Sequence, residues 1–386
     1  VSFRDFLGNR TTVNHLRAAI AAGRLPHAMI LAGPRGAGKY TLAIMLAQAA
    51  NCQIQPQTDG LPDFCGTCSN CIHIGQAADL KARVDEAIAA REDLRDADKK
   101  DTRILVQTHP DVLVIPPEPP QMLIKLGQVR TMIRGIYRMP AQARRAFYIF
   151  TASSFMKEAA NSLLKILEEP PEHASIVLLA ENLDDLLPTI RSRAGVSRLG
   201  ALPLGEVEAL LAERRPELRP AQQALVARLA QGAVGQALSI DLESWLASRA
   251  DALLMLRGAL QQPNYSALFR ATEIYRAGAE GQEKTAGLLR SLMSLLEDML
   301  LLNSGAAASI RNVDIEKELA AMAAQVNLEW LEAAARGATQ VESGMRRNLL
   351  RSLSLDAFAT GLAASADHSL RATEHFSGPP ANSLAN

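Results

Sequence analysis

Two stretches of this chain bear on phosphate chemistry, and one of them is incomplete. Gly33-Pro34-Arg35-Gly36-Ala37-Gly38-Lys39 fits the spacing G-x-x-x-x-G-K. In loops of this kind, backbone amides and the lysine cradle phosphates. The loop normally works with a hydroxyl after the lysine, which holds magnesium. It also needs a hydrophobic strand ending in Asp and Glu, which place the metal and the attacking water. Here the lysine is followed by Tyr40, and the strand Phe147-Tyr-Ile-Phe150 runs into Thr151, Ala152, Ser153 and Ser154. Thr41 does not stand in for the missing hydroxyl, because one more residue along a helix turns the side chain by about 100°. The groups that hydrolyse nucleotide are therefore missing, while those that shape the loop remain. Two readings of Gly33 to Thr41 stay open. Either the amides and Lys39 still hold ATP or ADP, or the loop is kept to pack the strand–helix turn.

The four cysteines form a second candidate site. They run Cys52-x12-Cys65-x2-Cys68-x2-Cys71, all within one short segment. Two successive C-x-x-C steps plus a fourth thiolate suit tetrahedral zinc with no position left for water, so the expected role of Zn2+ is structural. Cys52 is the most distant member, and His73 is the alternative fourth ligand. A third feature is the row Arg130, Arg134 and Arg138, one turn apart on one helix face, followed by Arg144 and Arg145. Such a row either tracks a phosphate backbone or is a solvated face.

These residues need elements to hold them. Met29 to Ala32 reads as a buried strand entering the glycine loop, and Tyr40 to Ala50 as the helix leaving it. Strands are also expected at Val112–Ile115, Phe147–Phe150 and Ile176–Leu179. Helices are expected at Leu16–Ala22, Gln128–Tyr137 and Lys157–Leu167. Strands alternating with helices predict a parallel sheet covered on both faces. Beyond about Gly200 only helices are expected: three short ones over Leu204–Ala237, then long Leu/Ala-rich ones such as Leu288–Leu302 and Arg346–Leu362. Residues 77–103 form a charged insert of helical character.

Composition sets the outer limits. The 386 residues exceed one ordinary core, so two or three domains are expected. Lys+Arg and Asp+Glu are 41 each, so no global pull on nucleic acid exists and any such contact must be local. No apolar run approaches the roughly 20 residues of a membrane span. The N-terminus shows no signal pattern, and clustered cysteines suit a reducing compartment, so a cytoplasmic location is expected.

The chain resembles the delta-prime subunits of bacterial DNA polymerase III clamp loaders, within the AAA+ superfamily. The resemblance is carried by Arg24-Leu-Pro-His-Ala28, the glycine loop, the four cysteines, His109-Pro-Asp111 and Ile124-Lys-Leu-Gly-Gln-Val-Arg130. It continues through Glu158-Ala-Ala-Asn-Ser-Leu-Leu-Lys-Ile-Leu-Glu-Glu-Pro-Pro171 and Leu187-Pro-Thr-Ile-Arg-Ser-Arg193. It covers about residues 2–240. The resemblance implies an α/β AAA+ P-loop domain over 1–199 with a zinc module at 52–71, and the charged insert at 77–103 departs from the family's usual pattern. It further implies a helical lid over 200–243, a helical collar for oligomerisation over 244–365, and a disordered tail over 366–386. The implied function is a stator that does not hydrolyse ATP but helps load a sliding clamp onto primer–template DNA in a hetero-pentamer with gamma/tau and delta subunits. Arg193 is implied to be an arginine finger acting on a neighbour's ATP site. The family's Ser-Arg-Cys motif reads Ser192-Arg193-Ala194 here. The lid stretch Gly232-Ala-Val-Gly-Gln-Ala-Leu238 lacks the arginine of active members. The alternative is an active ATPase resembling gamma/tau.

Overall fold

The computed structural model describes residues 2–95, 98–99, 102–119, 121–260, 278–345, 355, 357–358 and 360–362. These form two compact units. The first comprises Val1–Val207 with Gln231–Leu238; the second comprises Glu208–Ala230 and the described residues from Ser239 onward.

The first unit is built on a six-stranded sheet. Its strands are β1 (Ala28–Ala32), β4 (Val106–His109), β5 (Val112–Ile115), β6 (Ala146–Phe150), β7 (Ala174–Ala180) and β8 (Gly195–Arg198); β2 (Gln57–Thr58) and β3 (Leu61–Pro62) make a separate small hairpin. The sheet order is β4-β5-β6-β7-β1-β8. Every pair is parallel except β4 with β5. The expected parallel α/β core is present, with an antiparallel strand added at one edge. β4 and β8 were not anticipated from sequence. Val-Gln-Thr-His and Gly-Val-Ser-Arg lack the apolar runs that mark strands buried on both faces, and β8 is an exposed edge.

The central strands are buried on both faces because alternate residues feed two cores. Met29, Leu31, Val112, Val114, Phe147, Ile149, Val177 and Leu179 face one core. Ile30, Leu113, Ile115, Tyr148, Phe150, Ile176 and Leu178 face the other. The first core is closed by α1 (Arg10–Ala21), α2 (Lys39–Asn51) and α3 (Ser69–Gly75). The second is closed by α5 (Leu126–Ile136) and α6 (Lys157–Glu168). Between them in sequence, α4 (Leu80–Glu92) is the described helix of the charged insert and buries no residue. Its base is tied down where Arg91 approaches the buried Glu118 at 3.7 Å.

A short α7 (Pro188–Arg191) precedes β8. Then α8 (Leu204–Arg214), α9 (Pro220–Leu229) and α10 (Val234–Ser239) are the three short helices expected there. The second unit holds α11 (Leu242–Leu260), α12 (Gly278–Asn303), α13 (Glu316–Ala323) and α14 (Leu328–Met345), packed around Leu256, Leu292, Leu295, Trp330 and Ala334. The helix expected over Arg346–Leu362 lies mostly outside the described residues, and the tail from 366 lies wholly outside them. Among the described residues, no helix is long and apolar enough to cross a membrane.

Candidate functional site

β1 is buried along its whole length and delivers the chain into the glycine loop. Gly36 and Gly38 take φ of +81° and +85°, a conformation that favours glycine. Lys39 then begins α2. Its Nζ donates to the carbonyls of Gly33 at 2.6 Å and Pro34 at 2.8 Å, so the lysine is engaged by its own loop. Burial lowers its pKa, opposed by the charge of Glu181 at the end of β7 and aided by Arg35. The lid stretch reaches the same place, where the Gly235 amide donates to the Gly36 carbonyl at 2.8 Å. A Cβ at Gly36 would come within 2.7 Å of the Gln236 backbone nitrogen.

Tyr40 is not aimed at the loop. Its hydroxyl donates to the Ala77 carbonyl at 2.5 Å, and burial raises its pKa. Thr41 is exposed. At the end of β6, the Thr151 amide donates to the Ile115 carbonyl, and the Ser153 hydroxyl reaches Asp185 at 3.4 Å. The loop therefore retains the strand–loop–helix geometry of a phosphate site, and the end of β6 offers it no carboxylate. Sequence reading missed Glu181, whose only signal is its position just after a strand neighbouring β1.

The four cysteine sulfurs lie within 4.8 Å of one another. Tetrahedral zinc with Zn–S bonds of about 2.3 Å separates sulfurs by about 3.8 Å, so the donor set fits the ion. Cys52 and Cys71 are buried; Cys65 and Cys68 are partly exposed. Backbone amides donate to the sulfurs: Gln55 and Cys65 to Cys52 at 3.1 and 3.3 Å, and Thr67 and Cys68 to Cys65 at 3.4 and 3.2 Å. Such donors favour thiolate. Burial works to raise the Cys65 thiol, but hydrogen bonds from Thr67, Cys68 and Cys52 bring it down to about 6. Burial pushes Cys71 up. Cys52 completes the cluster, and His73 does not belong to it.

The cysteine module is not an appendage. Cys52, Phe64, Cys71 and Ile74 belong to the same buried cluster as Leu31, Val114 and Phe147 of the sheet. The residues just before two of the cysteines explain the connection. The Asn51 side chain accepts from the Arg144 and Arg145 amides, both at 3.0 Å, and donates to the Arg145 carbonyl at 3.0 Å. Asn70 donates to the Asn51 carbonyl at 2.9 Å and lies 3.2 Å from His109 Nε2. Asp111 accepts from the amides of Ala141, Gln142 and Ala143, each at 2.7 Å. His109-Pro-Asp111 thus fixes the loop that enters β6.

Arg145 donates to the carbonyls of Leu25 and Glu172 and to the Ser175 hydroxyl. It is a stitch between strand ends and is not part of a free basic row. Arg130 and Arg134 are exposed on α5, but the helix ends at Ile136 and Arg138, also exposed, lies in the turn beyond it, so the expected row on one helix stops at two arginines. Arg193 follows α7. Its Nε and Nη2 donate to Glu168 Oε1 at 2.9 and 2.6 Å, and Nη1 donates to the Thr189 carbonyl at 2.9 Å.

A family model described as DNA polymerase III, delta subunit, matches residues 8–203. The DNA polymerase III subunit gamma/tau of Mycobacterium tuberculosis (strain ATCC 25618 / H37Rv) is 30% identical over 335 residues, covering 81% of this chain and 51% of that protein. The DNA polymerase III subunit tau of Escherichia coli (strain K12) is 28% identical over 246 residues, covering 62% of this chain and 32% of that protein. The chain thus spans about half the length, or less, of these curated relatives. Among solved structures, a DNA polymerase III gamma subunit-related protein of Thermotoga maritima aligns at 17% identity and a TM-score of 0.38, covering 92% of this chain and 99% of that one.

Proposed function

This chain belongs to the DNA polymerase III, delta subunit, family, and from that premise we propose that it is a clamp-loader subunit of the delta-prime type that does not hydrolyse ATP. In this reading residues 1–199 act as the AAA+ module, 200–243 as a lid and 244–365 as the collar joining gamma/tau and delta subunits in a pentamer. The assembly loads a sliding clamp onto primer–template DNA. The observation that carries the reading is the end of β6, where Thr151 to Ser154 provide no carboxylate to bind magnesium or orient water. Two further features support it: Tyr40 is turned toward Ala77, and the lid stretch brings Gly235 rather than an arginine to Gly36. Zinc held by Cys52, Cys65, Cys68 and Cys71 is structural, with no ligand position open for chemistry.

Arg193 is the residue through which such a subunit acts on chemistry. It is partly exposed, beside the edge strand β8. In the assembly its guanidinium meets the γ-phosphate bound by the neighbouring subunit and stabilises charge that grows in the transition state. Arginines supplied in trans contribute about 10³-fold or more in rate. In a ring with several sites the loss of one is diluted.

The second reading is an active ATPase resembling gamma/tau. The gamma/tau relatives favour it. Two measurements separate them. The isolated chain has no magnesium-dependent turnover above a Lys39→Ala control if the first reading holds, and clear turnover if the second does. In the reconstituted assembly, Arg193→Ala lowers clamp- and DNA-stimulated ATPase, and Arg193→Lys does not restore it, because lysine lacks the planar fork. Unchanged ATPase in both variants would leave this subunit a scaffold only.

A further inference from the structure

Arg193 is already occupied within its own chain. Guanidinium has five N–H donors. The Nε donor and one Nη2 donor go to Glu168 Oε1, and Nη1 donates to the Thr189 carbonyl at 2.9 Å and the Ser192 hydroxyl at 3.2 Å. One Nη2 donor is left for any outside acceptor. The charge is also cancelled locally, because Glu168 and Arg193 form an ion pair at 2.6 Å. Arg191, two residues earlier, is engaged separately, by Asp184 at 2.6 Å.

Helix stability does not explain Glu168. It is the last residue of α6, where the helix macrodipole disfavours a carboxylate. Pro170 and Pro171 follow and prevent the helix from continuing. The position therefore costs the helix something and brings a carboxylate to Arg193.

We propose that Glu168 is a positioning residue that holds Arg193 in a parked state and releases it when a neighbour presents a γ-phosphate. This deepens, and rests on, the reading of Arg193 as a finger acting in trans. The competition is between two anions for one guanidinium. Glu168 offers a single carboxylate oxygen in a pair that is 33% exposed on the arginine side and 51% exposed on the glutamate side. Exposed pairs of this kind bias an equilibrium by about five-fold or less. A triphosphate carries more charge and three terminal oxygens, and it takes bidentate donation from the freed fork. The latch is thus strong enough to set a resting position and weak enough to yield to ATP. It makes the arginine's positive charge available only where a phosphate has displaced the carboxylate.

The test uses the complete assembly reconstituted with gamma/tau and delta subunits, with ATP turnover resolved into kcat and KM. Glu168→Gln keeps the size and an acceptor oxygen while removing the charge. The expected result is a KM for ATP lowered about two- to five-fold at unchanged kcat. The difference from wild type should shrink at high salt, where an exposed pair is screened. In an Arg193→Ala background, Glu168→Gln should change nothing further. An increase in KM or a fall in kcat would mean that Glu168 holds the arginine in its productive pose, overturning the latch. So would an unchanged KM in Glu168→Gln while Arg193→Ala remains impaired, with the finger reading left standing. If Arg193→Ala is itself without effect, the finger reading fails and the latch falls with it.

Discussion

Asn51→Ala tests whether the cysteine module and the sheet are one mechanical unit. Asn51 is almost fully buried, and its amide is the partner of two backbone N–H groups and one carbonyl in the loop 144–145. Truncation leaves all three without that partner. A buried polar group without one costs about 1–3 kcal/mol. Arg144 is exposed and Arg145 partly so, so water recovers part of the loss. A net penalty of about 2–4 kcal/mol follows. At 1.36 kcal/mol per decade, that is roughly a 30- to 1000-fold loss of protection for the Arg144 and Arg145 amides in hydrogen exchange. Both tryptophans, Trp245 and Trp330, lie in the second unit. Their emission serves as a control that the second unit is still folded. Stripping metal from the wild-type protein should lower protection at the same two amides, because Asn51 directly precedes Cys52 and Asn70 directly precedes Cys71. The two perturbations should be less than additive, with a coupling of about 1 kcal/mol or more. Full protection of both amides in metal-free protein would refute the reasoning, and so would an Asn51→Ala penalty below about 0.5 kcal/mol.

Other outcomes follow from the same geometry. Elemental analysis should find about one zinc per chain, and Cys52→Ser should lose metal affinity sharply. Full retention in that variant would return His73 to the ligand set. Burial works to raise the Asp111 pKa, but amide donation from Gln142, Ala141 and Ala143 outweighs it and the net shift is downward. A carboxyl depressed in the fold stabilises above its unfolded pKa of about 3.9, and that stability is lost as pH falls through the lower folded value. Acid unfolding of wild type should therefore steepen below about pH 4, whereas Asp111→Asn should be less stable at neutral pH and flatter in that range. Identical acid profiles would show that Asp111 does not contribute.

The parallel core was legible because its strands are continuous apolar runs, Met29 to Ala32 and Phe147 to Phe150 among them, between helices of clear period. β4 and β8 were not, because an edge strand needs no apolar run and their residues read as loop. The cysteine site was legible from spacing alone, including Cys52, whose distance in sequence is closed by the turn after α2. Its integration with the sheet was hidden. Asn51 and Asp111 act through backbone partners 30 or more residues away and Asn70 through one 19 residues away, and no local pattern encodes those. Arg145 was misleading for a related reason: a charge beside a basic row reads as surface until the carbonyls it caps are known.

The packing around the glycine loop gives a reason for this motif that is independent of nucleotide chemistry. A Cβ at Gly33 would meet the Leu199 carbonyl oxygen at 2.3 Å, one at Gly36 the Gln236 nitrogen at 2.7 Å, and one at Gly38 the Phe6 ring at 2.9 Å. Each glycine is thus required by the protein packed against it. Two of the three obstacles are backbone atoms, which cannot rotate away. Gly36 and Gly38 also carry positive φ, so a side chain there adds strain to the clash. Substituting these glycines would damage the fold whether or not nucleotide binds, and a loss of function in such variants carries no information about ATP. Lys39 is the discriminating position. Its removal leaves two loop carbonyls without a donor at a partly solvated site, a small cost, while removing the only loop cation that begins α2. Nucleotide binding that is the same in Lys39→Ala and wild type would mean that the loop serves packing alone.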